Sequence, residues 1–92
     1  KNPTKILFGK GKITAIKESI PTESRVLILY GGGSVKKNGT LEEVFSALQG
    51  YTLFEFGGIE PNPSYETLMK AVELVHKESI DFAVQLLKYL NF

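Results

Sequence analysis

The amino-acid sequence predicts an α/β fold built on a parallel sheet. Residues 25–30 form a short, continuously apolar run rich in branched side chains, which is typical of a strand buried on both faces. Strand-like and helix-like segments alternate along the 92 residues in the order β-α-β-α-β-α. Glycine-rich turns follow the predicted strands, where open parallel sheets place their ligands. Together these observations indicate a small three-layer, Rossmann-like domain.

The first two strands enclose one predicted helix. Strand one is Lys5–Phe8, and glycines follow it directly. The helix that comes next presents an apolar stripe at helical spacing, made of Ile13, Ile16 and Ile20. Pro21 ends this helix, and the second strand covers residues 25–30.

The second helix carries a start signal, a buried face and a stop signal. Thr40 and Glu43 match a capping box, which predicts that the helix starts at Thr40. Gly50 ends it, and residues 51–56 form the third strand. The apolar stripe of this helix consists of Leu41, Val44, Phe45 and Leu48.

Ser64 is a good N-cap for a third helix. The apolar stripe of that helix consists of Leu68, Ala71, Val72 and Val75. Two assignments fit the tail that follows: residues 80–84 as a fourth strand, or a helix capped by Asp81. The stripe of that alternative helix is Ala83, Leu86, Leu87 and Leu90.

The composition excludes several classes of function. Lysine and glutamate are interleaved and the net charge is +1, whereas a nucleic-acid surface needs a clustered basic face. There are no cysteines and one histidine, so cysteine-based metal sites and thiolate chemistry are excluded. No apolar run approaches the length of a membrane span and no signal-peptide pattern is present. We therefore expect a soluble, cytoplasmic protein that binds neither nucleic acid nor membrane.

The glycine-rich segment after the second strand is the strongest candidate for a binding site. Three glycines allow a ligand to approach the backbone, and a serine hydroxyl and two lysine ammonium groups follow in residues 34–37. This chemistry suits a phosphate, although a flexible turn with solvated lysines fits the same residues. No acid lies between Arg25 and Glu42, which favours NADP over NAD if a dinucleotide binds.

The loop 57–63 closes the third strand at the same predicted edge of the sheet. Its two glycines and two prolines suit a second wall of a nucleotide crevice, and equally a stiff connector. Glu60 is a lone carboxylate, and His76 suits the end of the third helix better than catalysis. No set of residues forms a catalytic or metal-binding constellation, so we assign no catalytic residue and no metal ligand.

Three segments in register resemble the N-terminal lobe of iron-type (group III) alcohol dehydrogenases. They are residues 2–11, 25–37 and 56–63, and the NADPH-dependent butanol dehydrogenase and aldehyde reductase branch is the most similar. The resemblance implies a nucleotide-binding lobe over residues 1–82, incomplete here, followed by a divergent tail, 83–92. It also implies hydride transfer between NADPH and aldehydes or primary alcohols, with a divalent metal, iron or zinc, held by a C-terminal lobe.

The resemblance assigns roles to particular residues and to the assembly. It implies a homodimer that pairs through the strand Lys5–Phe8. The family's second glycine-rich segment and its metal ligands have no counterpart here, so we expect the 92-residue chain alone to be inactive. A non-catalytic, flavodoxin-like module that binds a phosphate or a partner, or a truncated or engineered fragment, is the alternative. The cofactor-binding residues that the resemblance implies are Gly32, Gly33, Ser34, Lys37, Pro61 and Asn62.

Overall fold

The computed structural model describes residues 5–8, 17–32 and 39–86. Their strands are β1 (Lys5–Phe8), β2 (Arg25–Leu29), β3 (Thr52–Phe56) and β4 (Phe82–Gln85), and their helices are α1 (Thr40–Ala47) and α2 (Tyr65–Lys77). Residues 17–19 are also helical and end at the buried Ile20, just before Pro21. The other two stripe residues of that helix, Ile13 and Ile16, lie outside the described residues.

The four strands form one parallel sheet in the order β1-β4-β2-β3. The last of the described strands, β4, thus lies between β1 and β2. Val26 aligns with Phe82 and Leu29 with Gln85 across the β2–β4 pair. Because β2 has a neighbour on each side and side chains above and below it, residues 26–29 are almost fully buried, as the apolar run predicted.

Alternate residues of β2 and β4 supply two separate apolar clusters, one on each face of the sheet. The first cluster joins Val26, Ile28, Phe82 and Val84 to the buried face of α1. The second joins Leu27, Leu29 and Ala83 to Ala71 of α2. The sheet therefore lies between α1 and α2, which confirms the predicted three layers.

The tail of the described chain is a strand. Residues 82–85 pair with both β1 and β2, so the alternative of a helix capped by Asp81 is wrong for these residues. The helical spacing of Ala83 and Leu86 is real, but hydrogen bonds to two neighbouring strands and burial on both faces decide the conformation. The division of the chain at residue 82 stays a prediction, and β4 crosses that position.

Two details of the helices differ from the sequence predictions. Gly39 occupies the N-cap of α1, one residue before the predicted Thr40, and its carbonyl accepts a 3.0 Å hydrogen bond from the Glu43 N–H. On α2, Val72 is 40% exposed, whereas Ala71 is buried and Leu74 and Val75 pack beside it. The buried stripe of α2 is therefore rotated away from Val72. Neither described helix is long and apolar enough to cross a membrane.

Arg25 ties the amino ends of two strands to the end of α2. Its backbone N–H donates to Asp81 Oδ2 at 2.9 Å, and its carbonyl accepts from the Asp81 N–H at 2.8 Å. Its guanidinium donates to the Glu78 carbonyl and lies 5.0 Å from the centre of the Phe54 ring. This cluster lies at the amino edge of the sheet, opposite the glycine-rich loops.

Candidate functional site

The glycine-rich loops after β2 and β3 leave the same edge of the sheet and are joined by backbone hydrogen bonds. The Tyr30 N–H donates to the Phe56 carbonyl at 3.1 Å, and the Ile59 N–H donates to the Tyr30 carbonyl at 3.2 Å. The Gly58 N–H then donates to the Gly31 carbonyl at 3.0 Å. Backbone hydrogen bonds thus link the two loops beyond the ends of both strands, although Gly58 and Ile59 do not follow the parallel register of β2 and β3. We call Gly31–Gly32 the first corner and Gly57–Gly58 the second corner.

The first corner is open to a ligand at Gly32. This residue is exposed, and a Cβ atom built on it would meet no atom within 4 Å. The absence of a side chain therefore leaves backbone and free space at the carboxyl end of a central strand, where α/β sheets bind ligands. The other predicted residues of this segment, Gly33, Ser34 and Lys37, lie outside the described residues.

The second corner turns the chain out of the sheet. Gly58 has a φ of +71°, in the left-handed region that favours glycine. Ile59 then returns to the interior with 3% exposure and packs in the second cluster. Pro61 and Asn62, the predicted second wall, are exposed in the loop that follows. The structure thus joins the two loops at Gly31 and Gly58, and presents Pro61 and Asn62 to solvent beyond that junction.

Glu60 joins the loop 57–63 to the start of α2 by hydrogen bonds. Its carboxylate accepts from the Thr67 hydroxyl at 2.9 Å and from the Ser64 N–H at 3.3 Å. Ser64 is the predicted N-cap, and its hydroxyl accepts from the Thr67 N–H at 3.2 Å. Hydrogen bonds from its own backbone N–H, then from Thr67 and Ser64, lower the pKa of Glu60. This carboxylate therefore has a structural function that its isolation in the sequence did not reveal.

The side chain of Tyr30 connects the two corners, although Tyr30 is not among the predicted site residues. Its ring is 4% exposed and lies against Gly57, and its hydroxyl donates to Glu55 Oε1 at 2.6 Å. The sequence does contain a pattern that favours this contact. Glu55 and Gly57 are two residues apart, so they share one face of β3 and its extension. A tyrosine at the end of an apolar strand needs a hydrogen-bond partner on such a face.

The described residues offer no metal centre. No group of three or more histidine, cysteine, aspartate or glutamate side chains that could hold a metal ion occurs among them. His76 lies exposed in the last turn of α2 beside Lys77, where a cation complements the helix dipole. The described site therefore offers a ligand the backbone amides and carbonyls of the exposed corner at Gly32. It also offers the loop 57–63, which Glu60 holds to the start of α2.

Comparison with known proteins places this arrangement in a family. The profile of the family described as "Iron-containing alcohol dehydrogenase" matches residues 3–86. The NADPH-dependent aldehyde reductase YqhD of Escherichia coli is 61% identical over 80 residues, covering 87% of this chain and 21% of that protein. NADH-dependent butanol dehydrogenase A of Clostridium acetobutylicum is 42% identical over 85 residues, covering 89% of this chain and 22% of that protein.

A solved structure agrees in fold as well as in sequence. The substrate- and cofactor-free form of the aldehyde reductase YqhD from E. coli superposes with a TM-score of 0.77 at 58% identity. The match covers 92% of this chain and 22% of that one. The chain thus spans about a fifth of the length of the relatives it matches. Because the family profile covers residues 3–86 of the 92, the chain belongs to the iron-containing alcohol dehydrogenase family.

Proposed function

We propose that this chain is the NADP(H)-binding part of a metal-dependent alcohol dehydrogenase or aldehyde reductase. When bound, the cofactor would donate a hydride to an aldehyde as NADPH, or accept one from a primary alcohol as NADP+. The observation that carries the proposal is the junction of two glycine-rich corners at the carboxyl edge of a parallel sheet. Membership of the iron-containing alcohol dehydrogenase family supports it, as does the similarity to an NADPH-dependent aldehyde reductase.

The proposed cofactor site uses both loops. The exposed backbone at Gly32 fits a sugar-phosphate, because no side chain occupies the space in front of it. The following residues Gly33, Ser34 and Lys37 supply amide, hydroxyl and ammonium donors for the adenosine ribose and its 2′-phosphate. Pro61 and Asn62 form the second wall. Glu60 holds that wall in place through Ser64 and Thr67.

The order of charges along the chain favours NADP over NAD. NAD-binding loops usually present an acid to the ribose 2′-hydroxyl, and no acid lies between Arg25 and Glu42. The relatives include both an NADPH-dependent and an NADH-dependent enzyme. The preference of this protein therefore rests on the loop residues themselves.

The proposed divalent metal, iron or zinc, takes its ligands from outside the described residues, since these contain no suitable cluster. We assign no catalytic residue to the chain: its residues bind and orient the cofactor. We also propose a cytoplasmic homodimer that pairs through β1, because β1 lies at one edge of the described sheet.

Titration with NADP and with NAD tests the cofactor assignment. It uses the intact protein, by which we mean the longer enzyme of which we propose this chain is a part. Ser34→Ala and Lys37→Ala are each expected to weaken NADP binding by about tenfold while NAD binding changes little, since a hydrogen bond to a charged group contributes about 1.5–3 kcal/mol. The loss for Lys37→Ala is expected to shrink at high salt, because the 2′-phosphate carries about −1.5 to −2 charges.

The matched control for the lysine variant is Lys70→Ala, on the exposed side of α2, which should leave both affinities unchanged. Equal weakening of NADP and NAD by the loop variants contradicts the assignment of these residues to the 2′-phosphate. Absence of binding of either dinucleotide to the wild-type protein contradicts the proposed function.

A further inference from the structure

Tyr30 is the residue at which the two corners are joined. It follows the last residue of β2, and its backbone is bonded on both sides to the segment that leaves β3. Its N–H donates to Phe56 and its carbonyl accepts from Ile59, at 3.1 and 3.2 Å. The next residue, Gly31, accepts from Gly58 at 3.0 Å. A displacement of Tyr30 therefore shifts the first corner relative to the second.

The ring of Tyr30 explains the glycine at position 57. A Cβ atom built on Gly57 would lie 2.2 Å from Cε2 and 2.3 Å from Cζ of Tyr30, which is far inside van der Waals contact. Gly57 is not among the glycines with positive φ, so its backbone conformation does not require glycine. Position 57 lacks a side chain because the tyrosine ring occupies that space.

The hydroxyl of Tyr30 is anchored at the far end of the ring. It donates to Glu55 Oε1 at 2.6 Å, and Glu55 is an exposed residue of β3. This hydrogen bond, then burial of the phenol and the negative charge of Glu55, raise the pKa of Tyr30 to about 12. The phenol stays protonated near neutral pH and remains a donor. Backbone, ring and hydroxyl of one residue thus all contact β3 or its extension.

We propose that Tyr30 is a positioning residue for cofactor binding, which acts through Glu55 and Gly57 by fixing the two corners relative to each other. This inference rests on the proposed function, because the ligand whose affinity it controls is NADP(H). Tyr30 is buried, and we assign it no contact with the cofactor. Its effect reaches the ligand through the backbone of Gly31 and Gly32 on one side and of Gly58 on the other.

The test measures dissociation constants for NADP, kcat and KM in the intact protein. Tyr30→Phe keeps the ring but loses the bond to Glu55, and we expect NADP binding to weaken about three- to tenfold, with kcat changed less than the KM for cofactor. Glu55→Ala should reproduce this effect, whereas Glu55→Gln retains an acceptor oxygen and should restore most of the affinity. Thr52→Ala, an exposed substitution at the other end of β3, is the matched control.

A double-mutant cycle tests the contact between the ring and Gly57. Gly57→Ala should weaken NADP binding more than Tyr30→Phe does, because the added methyl group displaces the ring. In a Tyr30→Ala background the ring is absent, so Gly57→Ala should cost little more. Additive losses at the two positions, or an unchanged affinity in Tyr30→Phe and Glu55→Ala, overturn the proposal.

Amide hydrogen exchange separates a failure of this inference from a failure of the proposed function. Without cofactor, the amides of Gly58 and Ile59 donate to Gly31 and Tyr30, and their exchange should accelerate at least threefold in Tyr30→Phe. If the wild-type protein binds no dinucleotide, the proposed function fails and the role of Tyr30 in cofactor binding fails with it. If the wild-type protein binds NADP but the exchange rates are unchanged in Tyr30→Phe, only the role of Tyr30 is wrong.

Discussion

Gln85 places a polar amide inside the sheet. It is the last residue of β4, aligned with Leu29 of β2, and it is 1% exposed. Its position alternates with Val84, so it shares a face with Ala83 and the apolar cluster packed against α2. Within the part of the chain that the structure describes, neither its Nε2 nor its Oε1 has a hydrogen-bond partner. A buried amide without partners loses its bonds to water and gains none in return.

We therefore expect Gln85→Leu to stabilise the protein by about 1–3 kcal/mol, because it removes an unsatisfied donor and acceptor and keeps a similar volume. The midpoint of thermal unfolding of the intact protein measures the effect. Gln49→Leu, at an exposed position after α1, is the matched control and should change stability by less than about 0.5 kcal/mol. A lower midpoint for Gln85→Leu would show that the amide has a partner in solution.

At the scale of elements, the loop between β3 and α2 is held by one carboxylate. The Glu60 carboxylate accepts hydrogen bonds from Ser64 and Thr67. The exposed Pro61 and Asn62 therefore lie in a loop whose two ends are bonded to each other. The same two residues, Ser64 and Thr67, also form the N-cap of α2, where Ser64 Oγ lies 3.1 Å from Thr67 Oγ1. The start of the helix and the shape of the loop are thus one hydrogen-bonded unit.

The hydrogen bonds of Glu60 should make the folded protein less stable as the pH falls. The pKa of Glu60 is lowered in the folded protein, so the unfolded chain binds more protons and the contribution is lost as pH falls. We expect Glu60→Gln to unfold at a lower temperature than wild type at neutral pH. The difference should close as pH falls below the ordinary glutamate pKa of about 4.3.

The measurement is a series of thermal unfolding curves across acidic and neutral pH. Glu73→Gln, an exposed carboxylate in the middle of α2, is the control variant. A difference between wild type and Glu60→Gln that stays constant over the whole series would mean that the carboxylate charge does not stabilise this loop.

At the scale of the whole molecule, the described sheet has two unpaired edges. β1 and β3 are the outer strands of the order β1-β4-β2-β3. A chain of 92 residues buries about 60–65% of the surface of its unfolded form, which leaves a thin margin of stability. Outer strands with a free edge favour association with a further chain.

We therefore expect the purified 92-residue chain to associate beyond the monomer and to show no turnover of aldehydes with NADPH. The chain spans about a fifth of the length of its relatives, and its described residues contain no cluster that could hold a metal ion. Light scattering coupled to size-exclusion chromatography measures the mass, and loss of NADPH absorbance measures turnover. A mass-verified chain that reduces aldehydes would contradict the expectation, and the intact protein should elute as a dimer.

Local patterns in the sequence were sufficient for much of this structure. The apolar run before the three glycines predicted β2, the Ser64 signal predicted the start of α2, and glycines marked where the chain leaves β2 and β3. Val72 shows the limit of such patterns. Helical spacing made it a member of the predicted apolar stripe, but Leu74 and Val75 pack against the sheet and Val72 is 40% exposed. Helical periodicity therefore predicts the buried face of a helix, but it does not determine whether a residue at the border of that face is buried.

The α/β class, the parallel sheet and the segments that carry glycine at the carboxyl ends of strands all follow from local sequence patterns. These depend on burial patterns and turn chemistry, which act over a few neighbouring residues. Local patterns did not reveal that residues 82–85 form a strand, that Gln85 is buried, or that Tyr30 contacts Glu55 and Gly57. Each of those outcomes depends on contacts between residues far apart in the chain or on adjacent strands, and such contacts exist only once the sheet has formed.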